Sequence, residues 1–301
     1  MKLAVTGGTG FVGSHLIDIA LAAGHEVQAL TRREQPLRDA VAWIPGDLAD
    51  RDALERLVTD ADAVIHVAGV ISAQSRAAFD KGNVAGTLAM LAAATAGGVR
   101  RFVHVSSLAA REPKLSLYGG SKARAEELVH NSGLDWAIVR PPAVYGPGDK
   151  ETLELFRMAR FGLMLMPPKG RVSVIHVDDL ARLLLALTAY SAPSHILVED
   201  DDGKPGGWTH REFARALGAA VGTKPAIVYS PGILLRLAAR ADQLFRREKA
   251  KLTVDRAAYF SHRNWVTEPK RACPPGLWQP QIPTRQGLAE TADWYRAQGW
   301  L

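Results

Sequence analysis

Tyr118 and Lys122 bracket the segment Tyr118-Gly119-Gly120-Ser121-Lys122. On a helix this spacing puts the two side chains on one face, one turn apart. An ammonium beside a phenol favours the phenolate and lowers a pKa that starts near ~10. The phenol can then exchange a proton with a substrate oxygen near neutral pH. Upstream, Phe102-Val103-His104-Val105-Ser106-Ser107 reads as a strand ending in two hydroxyls. In an α/β sheet the carboxyl ends of the strands face the ligand crevice, where a serine can hydrogen-bond the same oxygen. Taken singly, such a tyrosine–lysine pair arises by chance in many chains, and paired serines are commonly turn chemistry. The spacing leaves both Ser106 and Ser107 open as the active hydroxyl.

A third group of residues lies at the start of the chain. The apolar run Lys2–Thr6 leads into Gly7-Gly8-Thr9-Gly10-Phe11-Val12-Gly13, and helix formers follow from His15 to Ala23. Strand, glycine turn and helix in this order bind a dinucleotide pyrophosphate on helix N-terminal amides. Gly7 allows the tight turn, Gly10 lets the backbone approach the phosphates, and Gly13 lets the helix pack close to the strand. After the second candidate strand comes Thr31-Arg32-Arg33, with no carboxylate until Glu34. NAD-selective sites place an acid there to hold the ribose 2′-hydroxyl. Arginine suits a 2′-phosphate instead, so NADP(H) is the expected cofactor through Arg32 and Arg33, with NAD(H) as the alternative. The other reading of these arginines is a solvated loop.

The elements that must position these groups alternate regularly. Candidate strands are Lys2–Thr6, Glu26–Leu30, Val41–Ile44, Ala63–Val67, Arg101–Ser106 and Trp136–Val139. Candidate helices are Phe11–Ala23, Arg51–Val58, Ala77–Ala96, Ser121–Asn131 and Thr152–Arg160. Repeated β-α units imply a doubly wound, Rossmann-type parallel sheet with helices on both faces. Its strands read as continuous apolar runs because both faces are buried. Beyond Arg140 the pattern changes, with turn-rich loops at Pro141–Gly148, Pro167–Gly170 and Asp200–Gly207. Thr209 is a candidate N-cap, with Glu212 as its capping partner, for a helix to Ala220. Residues 262–285 read as irregular, and a last helix is expected near Gly287–Gln298. Residues 1–180 are expected to form the dinucleotide-binding domain, interleaved after 141 with a substrate-binding region that mainly spans 181–301.

Composition narrows the function classes. The 301 residues are 47% hydrophobic and 23% charged, an ordinary balance for a globular enzyme-sized chain. The single cysteine, Cys273, excludes an internal disulfide and a cysteine-based metal site. No His-x-x-x-His or His-Glu-x-x-His pattern occurs, so no metal is expected. His66, His104 and His176 read as packed or hydrogen-bonding residues. The net charge of +6 is spread without an arginine–aromatic stripe, and nucleic-acid binding is not expected. The chain is expected to be cytoplasmic, without a signal peptide or a membrane span, and a monomer or homodimer.

The combination resembles the extended branch of the short-chain dehydrogenase/reductase superfamily, which includes the NAD-dependent epimerases and dehydratases. Thr6-Gly7-Gly8-Thr9-Gly10-Phe11-Val12-Gly13 is similar to that family's cofactor turn, which implies cofactor contacts for Gly7, Thr9, Gly10, Phe11, Val12 and Gly13. Gly46-Asp47-Leu48 resembles its adenine-contacting segment, implicating Asp47 and Leu48. His66-Val67-Ala68-Gly69 resembles the strand end on the adenosine side, implicating Val67, Ala68 and Gly69. Asn83-Val84-Ala85-Gly86-Thr87 resembles a helical motif whose asparagine supports the active site. Arg140–Gly148 resembles the loop that covers the nicotinamide, implicating Pro141, Ala143 and Val144. Ile175–Ala181 and Gly287–Thr291 also look like signatures of this branch. The resemblance implies that Tyr118 is the general acid/base. It implies that Lys122 binds the nicotinamide ribose and lowers the tyrosine pKa, and that Ser107, or Ser106, polarises the carbonyl. Sugar-nucleotide members usually carry a longer insert between serine and tyrosine than Ala109–Leu117 provides here.

The leading expectation is an NADP-dependent oxidoreductase moving hydride between nicotinamide and a carbonyl/alcohol pair of a hydrophobic small molecule. The alternatives are a sugar-nucleotide epimerase or dehydratase and a non-catalytic dinucleotide-binding subunit. An apolar pocket is expected from residues 141–301, with Pro142, Val144 and Tyr145 at its floor and the Phe161–Met166 run at its rim, or that run packs as a helix end. Residues 232–251 include an amphipathic stripe of Leu234, Leu237, Ala238, Ala241 and Phe245. It is read as a helix packing over the substrate region or a second subunit, with membrane-surface contact as the alternative.

Overall fold

The computed structural model describes residues 1–190, 195–231 and 254–301. The chain divides into two compact units. The first comprises Met1–Pro141, Asp178–Glu199 and Arg271–Gln279, and the second Pro142–Val177, Asp200–Lys270 and Pro280–Leu301. The amphipathic stripe of 232–251 lies outside the described residues. Among the described residues no helix is long and apolar enough to cross a membrane, and no cluster of His, Cys, Asp and Glu is arranged to hold a metal ion.

The first unit is built on one parallel sheet. Its strands are β1 (Lys2–Thr6), β2 (Glu26–Thr31), β3 (Val41–Pro45), β4 (Ala63–His66), β5 (Arg101–Val105), β6 (Asp135–Val139) and the short Ile196–Val198. From one edge the order is Ile196–Val198, β6, β5, β4, β1, β2, β3. Every neighbouring pair is parallel. β1 therefore has β2 on one side and β4 on the other, and the winding direction reverses between β1 and β4. That reversal is where open α/β sheets bind ligands, beyond the carboxyl ends of the strands. β1, β4 and β5 are almost wholly buried, which accounts for their continuous apolar sequence.

The helices of this unit are α1 (Phe11–Ala22), α2 (Arg51–Val58), α3 (Arg76–Phe79), α4 (Gly86–Ala96), α5 (Leu117–His130) and a later helix, Val177–Ala189, which starts at the boundary with the second unit. Leu54, Leu57, Met90, Leu91 and Val129 on α2, α4 and α5 pack with Ala4, Val64, Phe102 and Ile138 of the sheet into one core. Three differences from the sequence expectation bear on the site. The helix expected over Ala77–Ala96 is broken by a π-helical turn at Asp80–Ala85. α5 begins at Leu117, not Ser121, capped by Ser116, whose Oγ accepts the Gly119 amide proton at 3.0 Å. The helix Val177–Ala189 and the strand Ile196–Val198 are additional to the expected elements.

In the second unit, the loop expected at Pro141–Gly148 contains a strand, Ala143–Tyr145, paired in parallel with Val174–His176. Thr209 caps His210–Ala220 through the expected capping box with Glu212. The last helix spans Thr284–Ala297. The Phe161–Met166 run is not a helix end: Leu163–Met166 is a strand paired with Ala226–Tyr229. Met164 and Met166 point into a core containing Phe156, Leu217 and Tyr295, while Leu163 and Leu165 face outward. The stretch expected to be irregular after 262 includes the two-residue strand Asn264–Trp265 and a 3-10 turn at Pro269–Arg271.

Candidate active site

The glycine turn follows β1 directly. Gly7 adopts φ +75°, and a Cβ there would lie 2.7 Å from the Ala68 nitrogen. Gly13 packs so tightly that a Cβ would lie 2.1 Å from the Gly7 carbonyl oxygen. Gly10 is the N-cap of α1 with no side chain capping it, and the first turn holds no acidic residue. Thr9 and Gly10 are exposed, and Phe11 and Val12 are half-buried. The turn therefore presents uncapped helix amides beside a backbone stripped of side-chain bulk, which fits a dinucleotide pyrophosphate.

Buried polar groups tie the turn to β4. Thr87 Oγ1 donates to the Asn83 carbonyl at 2.6 Å. The Thr87 oxygen therefore accepts from His66 Nε2 at 3.1 Å. His66 Nδ1 then accepts from Thr6 Oγ1 at 2.7 Å, and Thr6 Oγ1 accepts the Ala68 amide proton at 3.2 Å. Burial, reinforced by the Lys122 charge, pulls His66 down to about 3, consistent with the neutral tautomer this chain of bonds requires. Val67, Ala68 and Gly69 are thereby fixed at the switch between β1 and β4. His104 stacks on His66 at 5.5 Å, and neither of its ring nitrogens has a hydrogen-bond partner among the described residues.

Ser107, Tyr118, Lys122 and Asn83 come together beyond the ends of β4 and β5. Asn83 sits in the π turn, where its Oδ1 accepts from the Val70 amide at 2.6 Å. Its Nδ2 donates to the Val70 carbonyl at 2.9 Å and to Ser121 Oγ at 2.8 Å. Ser121 in turn donates to the Tyr118 carbonyl at 2.8 Å. Asn83 thus locks the loop after β4 to the first turns of α5. Lys122 is buried and donates from Nζ to the Val105 carbonyl at 2.9 Å. A Cβ on Gly69 would lie 3.0 Å from that Nζ, so glycine leaves the ammonium room.

The structure separates the two serines. The Ser106 amide bonds the Val139 carbonyl at 2.7 Å and the Leu108 amide bonds the Pro141 carbonyl at 3.0 Å, which keeps the chain extended past β5. Successive side chains on an extended chain point to opposite faces. Ser106 Oγ donates to Glu126 at 2.5 Å, away from the tyrosine. Ser107 Oγ hydrogen-bonds the Tyr118 hydroxyl and accepts the Ala109 amide proton at 3.2 Å. The Tyr118 ring lies 6.1 Å from that of Phe79. The expected lowering of the Tyr118 pKa by Lys122 is not what this arrangement gives. Burial pushes the phenol up, and the opposing influence is the Ser107 hydrogen bond. Lys122 itself is brought down to about 8 by burial, against the carboxylate of Glu126, which holds it up.

Glu126 and Arg140 were not among the expected site residues, although helical spacing from Lys122 points to Glu126. The Arg140 guanidinium clamps Glu126 through bonds of 2.8 and 2.6 Å and reaches Glu199 at 3.1 Å. Both carboxylates are almost fully buried. Arg140→Ala leaves them without their main counter-charge and is expected to cost about 3–5 kcal/mol, measured by urea unfolding. A loss of only a few tenths would show that the cluster does not hold α5 in place.

The remaining expected cofactor residues fall into place separately. Arg32 and Arg33 are exposed past the end of β2. Thr31 Oγ1 donates to the Arg33 carbonyl at 2.6 Å and accepts the Arg33 amide proton at 3.2 Å, so Arg32 sits at the apex of a tight turn. Asp47 is exposed, and its Oδ1 accepts the Ala49 amide proton at 2.8 Å. Leu48 packs against Gly86 at the start of α4. Pro141 ends the first unit, whereas Ala143 and Val144 belong to a strand of the second.

Comparison with known proteins follows the same lines. A model described as the NAD dependent epimerase/dehydratase family matches residues 3–198. A ceramide reductase from Caulobacter vibrioides is 38% identical, over 99% of this chain and 96% of its own length. A 4-hydroxy-2-methyl-3-oxo-4-farnesyl-3,4-dihydroquinoline-1-oxide ketoreductase from Stigmatella aurantiaca is 32% identical over 68% of this chain and 69% of its own. The crystal structure of gox2253 superposes with a TM-score of 0.80 at 22% identity, covering 100% of this chain and 99% of that one, a likeness of fold.

Proposed function

The chain belongs to the NAD dependent epimerase/dehydratase family, and we propose on that premise that it is an NADP-dependent reductase of a carbonyl on a lipid-like molecule. The observation that carries this reading is the convergence of Ser107, Tyr118 and Lys122 beyond the end of β5. The dinucleotide, when bound, supplies the hydride from its nicotinamide. The chain's own residues do the rest. The Ser107 hydroxyl donates to the substrate carbonyl oxygen and orients it toward Tyr118. The Tyr118 hydroxyl delivers the proton to that oxygen as the alcohol forms. Its raised pKa keeps the phenol protonated at neutral pH, the state needed for reduction. The Lys122 ammonium binds the nicotinamide ribose. Asn83 holds Ser121 and the backbone of Tyr118 in register.

Support for a hydrophobic substrate comes from the relatives, since the Caulobacter protein is named for ceramide and the Stigmatella protein for a farnesylated quinoline oxide. Support for NADP comes from the turn that presents Arg32 at the end of β2. One charge-assisted phosphate contact is worth about 1.5–3 kcal/mol. Arg32→Ala is accordingly expected to weaken NADPH binding roughly tenfold or more while leaving NADH binding largely unchanged. Fluorescence titration of both cofactors checks this, and equal affinity of the native protein for the two would contradict the assignment. The reductase reading is tested by screening long-chain ketones and aldehydes with NADPH. Saturable binding of a nucleotide-sugar with no response to apolar carbonyls would overturn it in favour of an epimerase.

A further inference from the structure

The second unit carries an exposed apolar face. Leu163–Met166 and Ala226–Tyr229 pair in parallel, with Leu163 beside Ala226 and Leu165 beside Val228. Alternate residues of a strand share a face. Met164, Met166, Ile227 and Tyr229 therefore turn to the core, and Leu163, Leu165, Ala226 and Val228 turn out. Leu163, Leu165 and Val228 are 52%, 50% and 49% exposed, and the adjoining Phe161 is 78% exposed. So many exposed large apolar side chains on one small sheet mark an interaction surface.

Charge identifies the occupant. Arg160 and Lys224 are exposed just before the two strands, and Lys169 is exposed just beyond the first. The Arg160 guanidinium lies over the Phe161 ring at 5.6 Å. An apolar face flanked by cations complements an anionic bilayer, where the apolar groups enter the headgroup boundary and the cations meet phosphates. A two-fold pairing of chains through this face would instead set like charges against each other.

We propose that the face formed by Phe161, Leu163, Leu165 and Val228 docks the protein on an anionic lipid surface, from which a lipid-like substrate is drawn. The choice of a bilayer rests in part on the reading of the substrate as lipid-like. The test therefore uses no substrate or cofactor: flotation of the full chain with phosphatidylglycerol-rich vesicles and with pure phosphatidylcholine vesicles. The native protein is expected to float with the anionic vesicles and much less with the neutral ones, and to be released by high salt. Leu163→Glu with Leu165→Glu should abolish flotation at an unchanged thermal midpoint. Arg160→Glu and Lys224→Glu, which spare the apolar groups, should weaken binding roughly fivefold or more for each cation reversed. Failure of the native protein to bind anionic vesicles would overturn the proposal. So would unaltered binding by both variants, or a native dimer that the leucine variant converts to monomer, which would assign the face to a second copy. Since NADPH consumption with a soluble ketone is a separate assay, loss of this proposal leaves the reductase reading standing, and the reverse also holds.

Discussion

Replacing Tyr118 with phenylalanine is expected to lower kcat by roughly 10²–10⁴-fold while leaving cofactor affinity largely intact. The substitution removes the proton donor and little else. The ring keeps its place beside Phe79. Ser107 keeps its bond from the Ala109 amide, so no buried hydroxyl is stranded without a partner. The Asn83–Ser121 bonds, which hold the first turn of α5 through the Tyr118 backbone, are untouched. Steady-state kinetics with NADPH and the best carbonyl substrate, together with cofactor titration, separates these effects. A near-normal rate would remove Tyr118 as the proton donor.

Lys122→Ala is expected to damage both quantities. It removes the buried ammonium of the site and with it one charge-assisted contact to the ribose, worth about 1.5–3 kcal/mol, so NADPH affinity and kcat/KM both fall roughly tenfold or more. The native pH profile carries the same signature. Burial brings Lys122 down to about 8, so the ammonium is present below that pH and is lost as pH rises through it. NADPH affinity and kcat/KM should therefore decline on the alkaline side of about 8. Since Glu126 holds the lysine up, Glu126→Gln should move that limb to lower pH. An alkaline limb unchanged by Glu126→Gln would show that it does not report Lys122.

The main sheet was legible because each strand is buried on both faces and so reads as an unbroken apolar run. The glycine turn was legible because its backbone tolerates no Cβ at Gly7 or Gly13. What escaped depends on partners distant in sequence. Which of Ser106 and Ser107 turns away from Tyr118 depends on Glu126, held by Arg140, which binds the Ser106 hydroxyl. The π turn that brings Asn83 to Val70 and Ser121 has no local composition that distinguishes it from an α-helix. Ala143–Tyr145 is hidden between prolines and a glycine, and its partner strand lies beyond residue 170. The direction of the Tyr118 shift followed burial, which the Tyr–Lys spacing does not encode.

The proposed reaction is net hydride transfer to a hydrophobic carbonyl with Tyr118 as proton donor. NADPH deuterated at the transferable C4 position, incubated with the native enzyme and a long-chain ketone, tests it most directly by mass spectrometry of the product. The expected product carries one deuterium on the new carbinol carbon, with one NADP formed per alcohol and loss of both in Tyr118→Phe. Undiminished label in NADPH, with a nucleotide-sugar interconverted and no alcohol formed, would contradict it.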